Sequence, residues 1–122
     1  GEPIRGMEMI MAFGTVHLQR TFGENPFDVL PVHALKIGEL AVVTQPCELF
    51  SQFGLDIKRR SPGKSTIVVG MTDGYNGYCP TIYGLLGGGY SGSPISWTRL
   101  EPEAGYKIVD TAAILLNKVW AK

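Results

Sequence analysis

The chain has 122 residues, which bounds it to one domain at most. Its 11 basic and 11 acidic residues cancel, so bulk electrostatics favours neither nucleic acid nor an anionic membrane. Hydrophobic residues make up 44% of it, enough for a packed core, yet no apolar run reaches the roughly 18 residues a membrane span needs.

The first residues, Gly1-Glu2-Pro3, show neither an initiator Met nor a signal-peptide pattern. A removed tag and the tail of a longer polypeptide are the two explanations, and the second is the expectation. Along Met7–Phe22 the apolar residues Val16 and Leu18 alternate among β-formers, which predicts one or two strands with His17 on the opposite face, a solvated or packed strand histidine. Residues 23–26 hold Gly, Asn and Pro and make a turn. Residues 29–37 read as a strand with Leu30, Val32 and Ala34 on one side and His33 within it. Gly38-Glu39 then turns the chain into Leu40–Thr44, a continuous apolar run that suits a central strand. Together they predict a β-hairpin.

Residues 48–60 change period. Leu49, Phe50, Phe53, Leu55 and Ile57 fall at helical spacings, with Glu48 at the start and Lys58, Arg59 and Arg60 at the end, as the helix dipole favours. The basic run is therefore a helix C-terminus rather than a nucleic-acid patch, and Ser61-Pro62-Gly63 stops the helix. Residues 65–71 (STIVVGM) are apolar in both registers and predict a strand buried in the middle of a sheet. Residues 81–90 hold a helical turn and Gly87-Gly88-Gly89, without the Lys-Ser/Thr ending of a phosphate loop. Residues 103–120 form an amphipathic helix after Pro102, with Ile108, Val109, Ala112, Ala113, Leu115, Leu116 and Val119 on its apolar face. The fold class expected is α/β (α+β): a mixed sheet with helices on one face, either a single domain over 1–122 or the C-terminal portion of a larger layered catalytic domain.

Two runs carry the chemistry, Gln45-Pro46-Cys47-Glu48 and Asp73-Gly74-Tyr75-Asn76-Gly77-Tyr78. Each lies just past a predicted strand, where binding groups collect in open α/β sheets. A carboxylate there stays ionised and suits a hard or borderline metal. A Tyr oxygen can join it as a phenolate or donate to an oxyanion. The plainer structural reading makes Glu48 a helix N-terminal acid and Tyr75 and Tyr78 packed loop aromatics. Neither His17 nor His33 has zinc-ligand spacing. Cys47 and Cys79 flank these runs without Cys-x-x-Cys spacing, which disfavours a thiol-redox protein. Two small buried apolar side chains is the plainer account of them. If the loops meet, the thiols lie close, and a disulfide or a soft-metal role opens.

The stretches ALKIGELAVVTQPCELFSQFGLDIK and TIVVGMTDGYNGYCPT, followed by Gly88-Gly89-Tyr90 and PEAGYKIVDTAAILL, resemble the end of the catalytic domain of neutral/alkaline (non-lysosomal) ceramidases and their short bacterial relatives. The family has a strand, a Pro-Gly-Glu turn and a helix, then a strand and Asn-x-Tyr-x-x-Tyr-x-x-Thr. The resemblance covers about two thirds of the chain and implies a zinc-dependent amidohydrolase. Glu48 and Tyr75 match the family's two zinc ligands in this region. One zinc ion is implied, completed by two histidines that the family carries upstream, as it does a Ser taken to act in the chemistry. None of these is in this chain, which implies an upstream chain or segment as partner. Tyr78 matches the loop motif, which implies a place in the site wall, and is the catalytic candidate. Thr81, Tyr83 and Tyr90 are expected to line the substrate side. The implied substrate is a sphingolipid or another N-acyl compound, and the family implies a secreted or periplasmic setting.

Cys47 stands where the family has Gly, which predicts an altered turn because a Cβ disfavours left-handed backbone. Asp73 replaces Asn, residues 82–86 are apolar where ceramidases are acid-rich, and no Ig-like domain is expected to follow. These departures point to the short relatives and to a smaller N-acyl, amide or ester substrate. The alternative to a hydrolase is a non-catalytic structural or association subunit that keeps the fold without a complete metal site.

Overall fold

A computed structural model describes residues 6–122; the Gly1-Glu2-Pro3 start lies outside them. Its centre is a three-stranded sheet made of β1 (His33–Ile37), β2 (Leu40–Thr44) and β4 (Ser65–Val69), in the order β1-β2-β4. β1 and β2 pair antiparallel through the Gly38-Glu39 turn, where Gly38 takes a φ of 60°. β2 and β4 pair parallel, joined by the helix α2 (Ser51–Arg60). The sheet is therefore mixed, as expected, and β2 is its central strand.

Two helices cover one face. α5 (Ala104–Trp120) packs on β1, α2 packs on β4, and the two helices touch each other. Register explains which side chains meet them. Ala34, Val43 and Val68 stand side by side across the three strands and point toward the helices. Ala41 and Val43 are buried there with Phe53 and Ile57 of α2 and Ile108, Ala112 and Leu116 of α5. The apolar stripe read from the sequence of α5 is the buried one, with Leu115 and Val119 at its half-buried margin. Gly105 lets α2 approach: a Cβ there would lie 2.2 Å from the Phe53 ring. At the far end of β1 the Lys36 ammonium sits 5.3 Å over the Trp120 ring.

Three expectations are corrected. Met7–Phe22 is one helix, α1, rather than strands. The alternation of Val16 and Leu18 is two positions long, whereas Met, Ala, Leu, Gln and Arg along the segment favour helix. Glu8 in its first turn and Arg20 in its last agree with the helix dipole. Gly14 is its buried residue, seated on Ile95, and His17 is exposed beside Thr21 one turn on. Second, Glu48 and Leu49 are not helical: they form β3 (Glu48–Leu49), which pairs parallel with β5 (Tyr78–Cys79). α2 begins at Ser51 and has no acid in its first turn. Third, β4 is an edge strand with alternating exposure, not the middle of the sheet. The chain continues through α3 (Ile82–Gly87), the short helical turn expected before the Gly run, and α4 (Gly89–Gly92), a second turn that was not expected. No helix among the described residues is long and apolar enough to cross a membrane.

Candidate functional site

β2 and β4 run parallel, so the segments that follow them leave the sheet at the same edge. Those segments are the two runs singled out by sequence. Backbone hydrogen bonds zip them together: Gln45 N–H donates to Val69 C=O, Thr72 N–H to Gln45 C=O, Met71 N–H to Cys47 C=O, and Asn76 N–H to Pro46 C=O. Glu48 N–H then donates to Gly77 C=O, which begins the β3–β5 pairing.

Gln45 fixes the first turn with its side chain. It is 1% exposed, its Oε1 accepts from Cys47 N–H at 2.6 Å, and its Nε2 donates to Cys47 C=O at 3.0 Å. Cys47 itself has no positive φ. The turn thus avoids the left-handed backbone that the Gly of the family pattern would permit, and the Cβ is accommodated. The second loop absorbs the left-handed residues instead: Met71 at a φ of 51° and Asp73 at 59°. Backbone held in such sparsely populated regions is characteristic of functional loops. Gly77, at a φ of 78°, has no alternative, because a Cβ there would lie 2.4 Å from the Trp97 carbonyl oxygen.

The outcome of this zipping is a direct contact between the two residues named as metal ligands. Tyr75 Oη donates to Glu48 Oε1 at 2.8 Å. The bond holds the Tyr75 proton in place and pushes its pKa up to about 12, with desolvation adding to it. Tyr78 stands opposite Glu48 in the β3–β5 register, and its pKa is also raised, chiefly by the nearby Glu48 carboxylate. Both phenols are therefore proton donors at neutral pH. Tyr90 joins them: its ring meets Tyr78 edge-on at 6.0 Å and stacks on Trp97 at 5.0 Å. Trp97 Nε1 returns a hydrogen bond to Tyr90 C=O.

The other two residues expected on the substrate side are placed differently. Thr81 caps α3, its Oγ1 accepting from Gly84 N–H. Tyr83 is 87% exposed on α3 and shares no ring contact or hydrogen bond with the cluster.

Three contacts at the site carry no sequence motif. Arg99 Nη2 donates to Tyr75 C=O, Nη1 to Ser96 C=O and Nε to Asp28 Oδ2, while the guanidinium lies over Phe22 at 5.0 Å. It ties the Tyr loop to the end of α1. His33, at the start of β1, pairs with Asp73 Oδ2 through Nε2 at 3.3 Å. The β1–β2 register puts His33 beside Thr44, at the same sheet edge as the two loops. The third is the thiol pair. Cys47 and Cys79 are free, buried in the same core cluster, and close enough for each thiol to influence the other's titration. The neighbouring Cys47 thiol and burial raise the Cys79 pKa, so this thiol stays protonated.

Among the described residues, no group of three or more His, Cys, Asp or Glu converges as a metal centre. What the site does present is a pair of oxygen donors, one anionic and one phenolic, beside a second phenol. Alongside them a groove of about 640 Å³ opens, with Glu48 and Tyr78 among its lining residues. Comparison with family models, with curated proteins and with solved structures gives no match.

Proposed function

We propose that this chain is the C-terminal part of a zinc-dependent amidohydrolase of the neutral ceramidase type, acting on an N-acyl bond. The observation that carries the reading is the 2.8 Å contact between Tyr75 Oη and Glu48 Oε1. These residues lie 27 apart in sequence, and the family resemblance names both as ligands of one ion. Their donor chemistry fits half of such a centre: a carboxylate oxygen and a phenol whose proton is the one a cation would displace. When bound, zinc supplies Lewis-acid polarisation of the acyl carbonyl and a water acidic enough to be deprotonated near neutral pH.

The side chains of this chain hold and orient their part of the site. Glu48 is oriented by its place in β3 and by the phenol of Tyr75. Tyr75 is fixed in turn by the Arg99 bond to its carbonyl. Tyr78 keeps its proton at neutral pH and donates to the carbonyl oxygen as that oxygen gains charge. The Tyr90–Trp97 stack holds Tyr78 from behind.

The upstream chain or segment that brings the histidines would use the bare face of the sheet. Leu35, Val42 and Ile67 stand in one row across β1, β2 and β4 on the side away from the helices. Leu35 is 48% and Ile67 50% exposed. Parallel strands are ordinarily covered on both faces, so an apolar row of this kind suits a second layer. The test is metal content of the protein purified with the chain that accompanies it. Glu48→Gln should lower zinc occupancy sharply, and unchanged occupancy would remove the ligand assignment.

A further inference from the structure

We propose that the groove beside Glu48 holds a linear amphiphile with a neutral amide at the Glu48 end and an anionic group at the Lys58 end. The identity of the amide end rests on the hydrolase reading above; the groove and its far end do not. Ser51, Gly54, Leu55 and Lys58 line it from α2, at positions i, i+3, i+4 and i+7, so one helix face forms a wall. Val68 and Met71 form the facing wall, from the open edge of β4 and the residues after it. The middle is apolar. Its two ends differ in charge, with the Glu48 carboxylate and Tyr78 phenol at one and the Lys58 ammonium at the other.

Two independent observations point to a ligand. The first is Gly54. It sits in the middle of a ten-residue helix, where glycine weakens the helix relative to alanine. Nothing lies within 4 Å of where its Cβ would be, so no neighbour of the fold requires the missing side chain. Its smallness keeps the groove open. The second is charge. Arg59 pairs with Asp56 and Arg60 with Asp110, whereas Lys58 makes no ion pair among the described residues. An occupant complementary to this groove is apolar along its length, carries hydrogen-bonding groups at Glu48 and Tyr78, and ends in an anion at Lys58. From Ser51 to Lys58 the helix rises about 10 Å, roughly the span of an extended eight-carbon chain. The substrate class is thus an N-acyl compound with a medium-length chain and a distal anion, rather than a neutral two-tailed lipid.

Two probes of one length separate the terms: octanamide, and the monoamide of octanedioic acid, which adds a carboxylate at the other end. Calorimetric titration of the full chain should show the monoamide binding about threefold tighter at low salt, the range of an exposed ion pair. Lys58→Gln should erase that difference, and so should high salt. Gly54→Leu should abolish binding of both probes while its melting temperature stays at or above that of the wild type, since leucine is the better helix former. Equal affinity for the two probes in the wild type would overturn the anionic end. Failure of both to bind, or binding untouched by Gly54→Leu, would overturn the groove as a ligand site. Zinc occupancy is read separately. Probe binding without zinc in the assembled protein removes the hydrolase reading alone, and zinc without probe binding removes the groove alone.

Discussion

Tyr75 reports on Glu48 through its own proton. Its pKa of about 12 in the folded chain lies above the ordinary 10.0, and the hydrogen bond to Glu48 is the main cause. A raised folded-state pKa stabilises the fold at pH values below the unfolded one. The contribution is therefore complete below about pH 10 and disappears as pH climbs from there through about 12. Absorbance titration of the tyrosines should resolve a late component near pH 12 from Tyr75, with Tyr78 also above the ordinary value, and Glu48→Gln should move both back toward 10. A late component that survives the substitution would mean the contact is not its cause. Gln45 supports the same turn from below. Truncation to alanine strips the Cys47 N–H of its buried acceptor and removes one of the two donors to the Cys47 C=O, leaving Met71 N–H. A loss of about 2 kcal/mol in denaturant unfolding is expected. A loss within error of zero would show that water replaces the amide.

At the scale of elements, two glycines give opposite expectations. In Gly54→Ala the new methyl meets open space in mid-helix, so α2 should gain about 0.5–1 kcal/mol. In Gly77→Ala the methyl meets the Trp97 carbonyl at 2.4 Å on a backbone of positive φ, and the cost should be about 2 kcal/mol or more. That strain falls between Tyr75 and Tyr78, so the Tyr75 titration should change with it. Unfolding midpoints of the two variants shifting in the same direction would contradict this account of the loop. The elements also show what local pattern can and cannot specify. The hairpin over β1 and β2, the strand β4 and the helix α5 are legible because their periods and turn residues are local. α1 is misread when two alternating positions outweigh the helix formers around them. The start of α2 is misread because β3 forms by pairing with β5, which is 30 residues away in the chain. No periodicity in residues 48–60 could announce that partner.

For the molecule as a whole, the sheet has one covered and one bare face. Val43 and Ala41 meet the helices; Leu35, Val42 and Ile67 do not. Charge placed on the bare side should cost the isolated chain little, within about 0.5 kcal/mol for Ile67→Lys. The same substitution should weaken association with the upstream chain or segment, as read by co-purification. Equal recovery of the complex would argue that the second layer lies elsewhere. The site was legible to the extent that chain geometry is general. Segments following parallel strands converge at one sheet edge, and that rule is enough to bring Glu48 to Tyr75. Arg99 was not legible, since its partners Asp28 and Tyr75 lie 71 and 24 residues away. Nor was the capping role of Thr81, which the family resemblance grouped with the substrate wall. The most direct test of the central claim is native mass spectrometry of the protein as purified with the proposed upstream chain or segment, before and after Glu48→Gln. One zinc per complex, lost in the variant, is the predicted result. A complex that carries zinc equally in both, or a metal-free complex with its histidine-bearing chain in place, would contradict it.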